Sequence, residues 1–174
     1  AQRIIVVDSV SKRFNACGVR IGCLATKNRE VLDVTLRFCQ ARLSVATAEQ
    51  LMVVPLLENG REYSQRLCVE YQQRRDAVFA GLSAIDGVRP HRSEGSFYAM
   101  TRLPISSCED FAAWLLRDFT RDGETVCLAP GEGFYVTPGL GVDEVRVAFM
   151  YDADTLTRAM KILDVAVSAY GGKQ

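Results

Sequence analysis

Three rhythms of apolar and polar residues succeed one another along the chain. Arg3-Ile4-Ile5-Val6-Val7-Asp8 is a continuous apolar run that gives way to a polar loop, the pattern of a strand buried on both faces inside a parallel sheet. Residues 19–25 form a second short apolar segment, but two strands cannot make a two-sided α/β layer. Residues 1–26 are therefore expected to be the tail of a larger domain. Over 28–39, Val31, Val34, Leu36 and Phe38 mix helical and strand spacing and are read as a helix. Thr47 or Ser44 is expected to cap the next helix, which carries Ala48, Leu51, Met52, Val54 and Leu57, kinks at Pro55 and stops at Asn59-Gly60. From 62 to 82, Tyr63, Leu67, Tyr71, Val78 and Leu82 recur at roughly every fourth and seventh position, which predicts a long helix with one apolar face.

After Asp86-Gly87 the rhythm changes to short strands and two helices, the signature of a compact α+β unit. Residues 96–103, 125–129 and 144–150 are strand-like. Residues 108–119 place Phe111, Trp114, Leu115 and Phe119 on one helical face, closed by Asp122-Gly123. Asp152 or Asp154 is expected to cap a last helix bearing Leu156, Met160, Leu163 and Val167, ending at Gly171-Gly172. The fold class is α/β, with a tail at 1–26, a helical segment at 27–85 and a small α+β domain at 86–174.

Composition narrows the function. The 174 residues include 21 Lys and Arg and 21 Asp and Glu, so no basic excess argues for a nucleic-acid partner. No apolar run reaches the roughly 20 residues that span a bilayer, and no charged-then-apolar leader opens the chain. Cys17, Cys23, Cys39, Cys68, Cys108 and Cys127 never adopt C-x-x-C spacing and mostly sit in apolar segments. They read as small hydrophobes in a reducing compartment, the cytoplasm. His91 is the only histidine. A zinc site of several imidazoles is thus impossible, and His91 reads as an exposed loop residue.

The residues with most chemistry to offer follow the first strand. Lys12 comes directly after it, at the carboxyl end where open α/β sheets place ligands. A lysine that bonds to an aldehyde must reach its free-amine form, which partial burial beside the cations Arg13 or Arg20 favours. Ser9 and Arg20 add a hydroxyl and a planar guanidinium, donors that match a phosphate. On residue types alone, a surface loop with scattered cations is the competing reading. In Val145-Arg146-Val147-Ala148-Phe149-Met150, alternation puts the two valines and Phe149 on one face and Arg146 on the other. A mid-strand arginine must meet an anion or open onto a cleft, because burying it unpaired costs several kcal/mol. Either a bound carboxylate or an internal salt bridge satisfies it. Tyr98 borders that region or belongs to the core, and Gly131, Gly133, Gly139 and Gly141 read as turn chemistry.

The whole pattern S-x-S-K followed by G-x-R-x-G, namely Ser9-Val10-Ser11-Lys12 and Gly18-Val19-Arg20-Ile21-Gly22, resembles the lysine signature of the class I and II aminotransferases, which are fold type I pyridoxal-phosphate enzymes. The likeness extends through Gln40-Ala41-Arg42-Leu43-Ser44, Gly95-Ser96-Phe97-Tyr98, Ala129-Pro130-Gly131 with Gly133-Phe134, and Val145-Arg146-Val147-Ala148-Phe149. It covers essentially the whole chain and is similar to the carboxyl-terminal half of aspartate-aminotransferase-type members. The resemblance implies the end of the large domain, long interdomain helices and then the small domain. It implies that Lys12 forms a Schiff base with pyridoxal 5'-phosphate and moves the substrate proton, that Ser9 and Arg20 hold the cofactor phosphate, and that Arg146 clamps the substrate α-carboxylate. Amino acid and 2-oxo acid are the implied substrates and a homodimer the implied assembly, with no metal and no membrane. The family's upstream cofactor residues have no counterpart in these 174 residues, so residues 1–174 alone are expected to be inert. The same signature also occurs in carbon-sulfur lyases and synthases of this fold and in cofactor-binding effector domains of transcriptional regulators. A plain α+β interaction domain is the remaining alternative.

Overall fold

The computed structural model describes residues 3–171, and the chain forms two compact units, Ala1–Cys68 and Val69–Gln174. In the first, strand β1 (Ile5–Ser9) leads through a one-turn helix α1 (Val10–Arg13) and a 3₁₀ turn at Cys17–Val19 into β2 (Gly22–Thr26). The two strands pair antiparallel in register Ile5↔Thr26 through Ser9↔Gly22. The expected segment at 19–25 is thus an antiparallel partner of β1. The short return through α1 reverses the chain, and only an antiparallel partner is reachable over so few residues. The ribbon's apolar side chains are not covered by the described residues, with Val7 76% exposed.

Helix α2 (Arg29–Arg42) starts where Asn28 Oδ1 accepts the Val31 N–H at 3.3 Å, with Glu30 in its first turn and Arg42 in its last, both complementing the helix dipole. Helix α3 (Thr47–Glu58) is not capped by Ser44 or Thr47. Ala46 occupies the cap without a side-chain bond, and Thr47 is already helical. Pro55 lies inside α3, and Asn59 ends it by donating from backbone and side chain to the Pro55 carbonyl, each at 3.1 Å. Helix α4 (Gly60–Ala84) follows at once. The small core of this unit is Val10, Phe14 and Val53, with Ile21, Leu56 and Tyr63 against it. The Tyr63 hydroxyl donates to the Phe14 carbonyl at 3.1 Å. At Gly60 a Cβ would come within 2.7 Å of the Phe14 ring, so only glycine lets the ring in.

The second unit builds a three-stranded antiparallel sheet in the order β3 (Tyr98–Arg102), β5 (Glu144–Ala148), β4 (Ala129–Pro130). One face packs on the carboxyl half of α4, on α5 (Cys108–Arg117) and on α6 (Ala153–Gly171), around Leu82, Phe111, Leu115, Val145, Phe149 and Leu163. Ser107 caps α5 by accepting the Asp110 N–H at 3.2 Å, and Asp152 caps α6 by accepting the Thr155 N–H at 2.9 Å. That bond holds the Asp152 carboxyl below the usual carboxylate range. Asp122-Gly123 does not close α5, which ends at Arg117. With φ of 54° and 80° these residues form a tight turn of the mirror-image kind, in which Arg121 and Glu124 exchange backbone bonds at 2.9 Å. Of the strand expected at 125–129, only Ala129 pairs within the sheet. Gly172, expected at the end of α6, lies outside the described residues.

Candidate active site

The turn after β1 assembles one set of polar groups. Ser9 ends the strand and caps α1. Its Oγ accepts the Ser11 N–H at 3.1 Å, donates to the Ile21 carbonyl at 3.0 Å and lies 2.9 Å from Ser11 Oγ. Gly22 crosses Ser9 so closely that a Cβ there would sit 2.9 Å from the Asp8 carbonyl. Arg20 holds a left-handed backbone, φ 59° and ψ 36°, and its Nη1 donates to the Cys17 carbonyl at 2.9 Å. A non-glycine residue there carries strain of about 1–3 kcal/mol. Ser9, Ser11 and Arg20 line the same open cleft of about 680 Å³, together with Asp8 and Cys23.

Lys12 occupies the middle of α1, immediately past the strand. It is exposed rather than partly buried, and the charge of Arg13 is matched by Asp8 in an ion pair. The Ser9 N–H and then Arg13 hold the Asp8 carboxyl below its usual range. The desolvation expected from the sequence is therefore not supplied by the residues described, because α1 is a single turn with only Val10 buried.

Arg146 stands on β5 in the second unit. Val145, Val147 and Phe149 are buried at 0%, 4% and 1% exposure, while Arg146 and Ala148 are half-buried on the opposite face. The guanidinium lies 4.6 Å from the centre of the Tyr98 ring and 4.7 Å from that of Phe134. Among the described residues of this unit no carboxylate pairs with it, so aromatic faces rather than an internal salt bridge accompany the charge. The two rings pack against the guanidinium, whose N–H groups can bind a planar anion. Arg146 also borders an open cleft of about 500 Å³ with Ala129, Met150 and Thr155. The sequence offered Tyr98 only as a neighbour or core residue, and Phe134 only within a motif. Their pairing around Arg146 needed the sheet register and the Glu132–Phe134 turn.

Five of the six cysteines are exposed and only Cys108 is buried, so most are not the core hydrophobes expected. His91 is exposed. Among the described residues no three His, Cys, Asp or Glu side chains converge on a possible metal position, and no helix is long and apolar enough to cross a membrane.

The model of the family "Aminotransferase class I and II" matches residues 1–163. The chain belongs to this family. Aspartate aminotransferase of Rhizobium meliloti strain 1021 is 28% identical over 148 residues, 78% of this chain and 35% of that protein. LL-diaminopimelate aminotransferase of Natranaerobius thermophilus is 27% identical over 162 residues, 90% of this chain and 39% of its own length. The crystal structure of α-aminoadipate aminotransferase from Thermus thermophilus, complexed with N-(5'-phosphopyridoxyl)-L-leucine, superposes with a TM-score of 0.84. It covers 98% of this chain and 43% of that one at 21% identity, which speaks for the fold alone. N-succinyldiaminopimelate aminotransferase of Mycobacterium tuberculosis gives a TM-score of 0.80 at 28% identity, over 95% of this chain and 42% of that one. This aminotransferase chain thus spans about two-fifths of the length of the relatives it matches.

Proposed function

We propose that the full-length protein is a pyridoxal-phosphate-dependent transaminase that moves an amino group from an amino acid to a 2-oxo acid. The observation that carries the reading is that Ser9, Ser11 and Arg20 line one cleft, with Lys12 directly after Ser11 in α1, in a chain of this family. Two hydroxyls and a guanidinium fit a phosphate monoester, and the left-handed backbone at Arg20 is the kind of strain retained at binding sites. When bound, the cofactor supplies an aldehyde and an electron-withdrawing ring. Lys12 would hold it through its side-chain amine and would give and take the proton at the substrate α-carbon. Ser9 and Arg20 anchor the phosphate, and Arg146 holds the substrate α-carboxylate edge-on while the Tyr98 and Phe134 rings shield it from water.

The relatives' names support aspartate as the first amino acid to try, and the shared family supports a homodimer. Unpaired cysteines support a reducing, cytoplasmic setting. Residues 1–26 are the end of a cofactor-binding domain, 27–85 the interdomain helices and 86–174 the small domain. The deciding experiment scans the visible absorbance of the purified full-length protein before and after L-aspartate, then after a 2-oxo acid. A cofactor band that bleaches and returns, and that is absent from Lys12→Ala, is the expected result. A band retained by Lys12→Ala refutes the assignment, and one that shifts without the exchange moves it to a lyase or sensor.

A further inference from the structure

The segment between β4 and β5 is tied back onto the strand that carries Arg146. The Gly131 N–H donates to the Glu144 carbonyl at 2.7 Å. The Tyr135 ring lies against Gly141, where a Cβ would come within 2.6 Å of it, and the Tyr135 hydroxyl donates to Glu144 Oε2. The other carboxylate oxygen, Oε1, accepts from Arg102 Nε at 3.2 Å, and Arg102 is the cross-strand partner of Glu144. The Glu144 side chain is 14% exposed. Two residues apart on one strand, Glu144 and Arg146 share a face. Phe134 immediately precedes Tyr135 at the end of a 3₁₀ turn, so whatever fixes Tyr135 fixes the ring that lies on Arg146.

We infer that Tyr135 and Glu144 are positioning residues that hold Phe134 on Arg146 and so preset its guanidinium to receive a substrate carboxylate. The inference rests on the reading of Arg146 as the carboxylate clamp. Phe134 is 50% exposed; backbone bonds within the turn, Phe134 N–H to the Gly131 carbonyl at 3.0 Å and Tyr135 N–H to the Glu132 carbonyl at 3.1 Å, shape it locally, and the Tyr135 hydroxyl is its side-chain tether to β5. An arginine packed against two rings has less rotamer freedom to lose when the anion arrives, so the anion binds at a lower entropic cost. Glu144 also raises the Tyr135 phenol above its ordinary range, which keeps the donor proton in place.

The test measures the dissociation constant of propionate, which has one carboxylate and no group that reacts, in the full-length protein. Tyr135→Phe is expected to weaken it roughly two- to tenfold, the cost of immobilising one long side chain. Glu144→Ala should match that loss, the double variant Tyr135→Phe/Glu144→Ala should add nothing further, and Glu144→Gln, whose amide oxygen still accepts the phenol, should restore most of the affinity. Equal thermal midpoints in wild type and Tyr135→Phe establish that the affinity change is not a folding defect. Wild-type affinity in Tyr135→Phe overturns the inference, as do additive losses in the double variant. Affinity lost in Arg146→Ala but intact in Tyr135→Phe refutes the positioning role alone, whereas affinity intact in Arg146→Ala refutes the clamp itself.

Discussion

Cys108 opens α5 with its side chain fully buried and its N–H donating to the Val142 carbonyl at 2.7 Å. Burial, helped by the nearby charges of Asp143 and Glu144, pushes the thiol from 9.0 up to about 12. The folded chain keeps this proton where the unfolded chain releases it. The thiol's contribution is therefore complete below 9.0 and is lost as pH rises from there through about 12. The stability difference between wild type and Cys108→Ala, from chemical denaturation, should shrink as pH rises from about 8 to about 10. A difference that stays constant would remove the burial argument. Arg146 illustrates the same physics with opposite means. Alternation in β5 located it from sequence, but the groups that accompany its charge, Tyr98 and Phe134, come from β3 and a distant turn.

Elements follow local pattern wherever a cap or a stripe is present. Asn28, Ser107 and Asp152 each begin a helix by accepting a backbone N–H, whereas α3 starts at Thr47 with Ala46 at its cap and no such bond. Gly81 in α4 tests what packing adds. In an exposed helix, Gly→Ala gains about 1 kcal/mol. Here a Cβ would overlap Met160 of α6, with Met160 Cγ 2.6 Å away. Both helices sit in the core of the second unit. Gly81→Ala should therefore lower stability by about 1–3 kcal/mol despite its better propensity, read as a lower denaturation midpoint. A raised midpoint would show that α6 yields without cost.

Across the whole molecule the two units differ in what they bury. The second encloses a continuous core from Val78 to Val167, while the first has three buried apolar residues among those described and exposes Ile4, Val6, Val7, Phe38, Leu43 and Leu51. Patches of that kind mark surfaces meant to be covered. Residues 1–174 alone are expected to bind a hydrophobic fluorescent dye strongly and to show no transamination between L-aspartate and 2-oxoglutarate, both reversed in the full-length protein. Turnover by residues 1–174 alone would place the complete catalytic apparatus within them.

Much of this was legible in the chain because it is local. Helical stripes, the Asp152 cap, the alternation in β5 and the Lys12 signature depend on residues within a turn or two of one another, where backbone geometry fixes who meets whom. The sequence alone determined the presence of the long helices and the side of β5 on which Arg146 lies, but not α1, the start of α3 or the end of α5. Tertiary structure decided the antiparallel return of β1 onto β2 and the exposure of Lys12. It also decided the aromatic pair around Arg146 and the tie from Tyr135 to Glu144. These depend on which distant segments pair and in what register, and a periodicity of two or of 3.6 carries no information about a partner elsewhere in the chain.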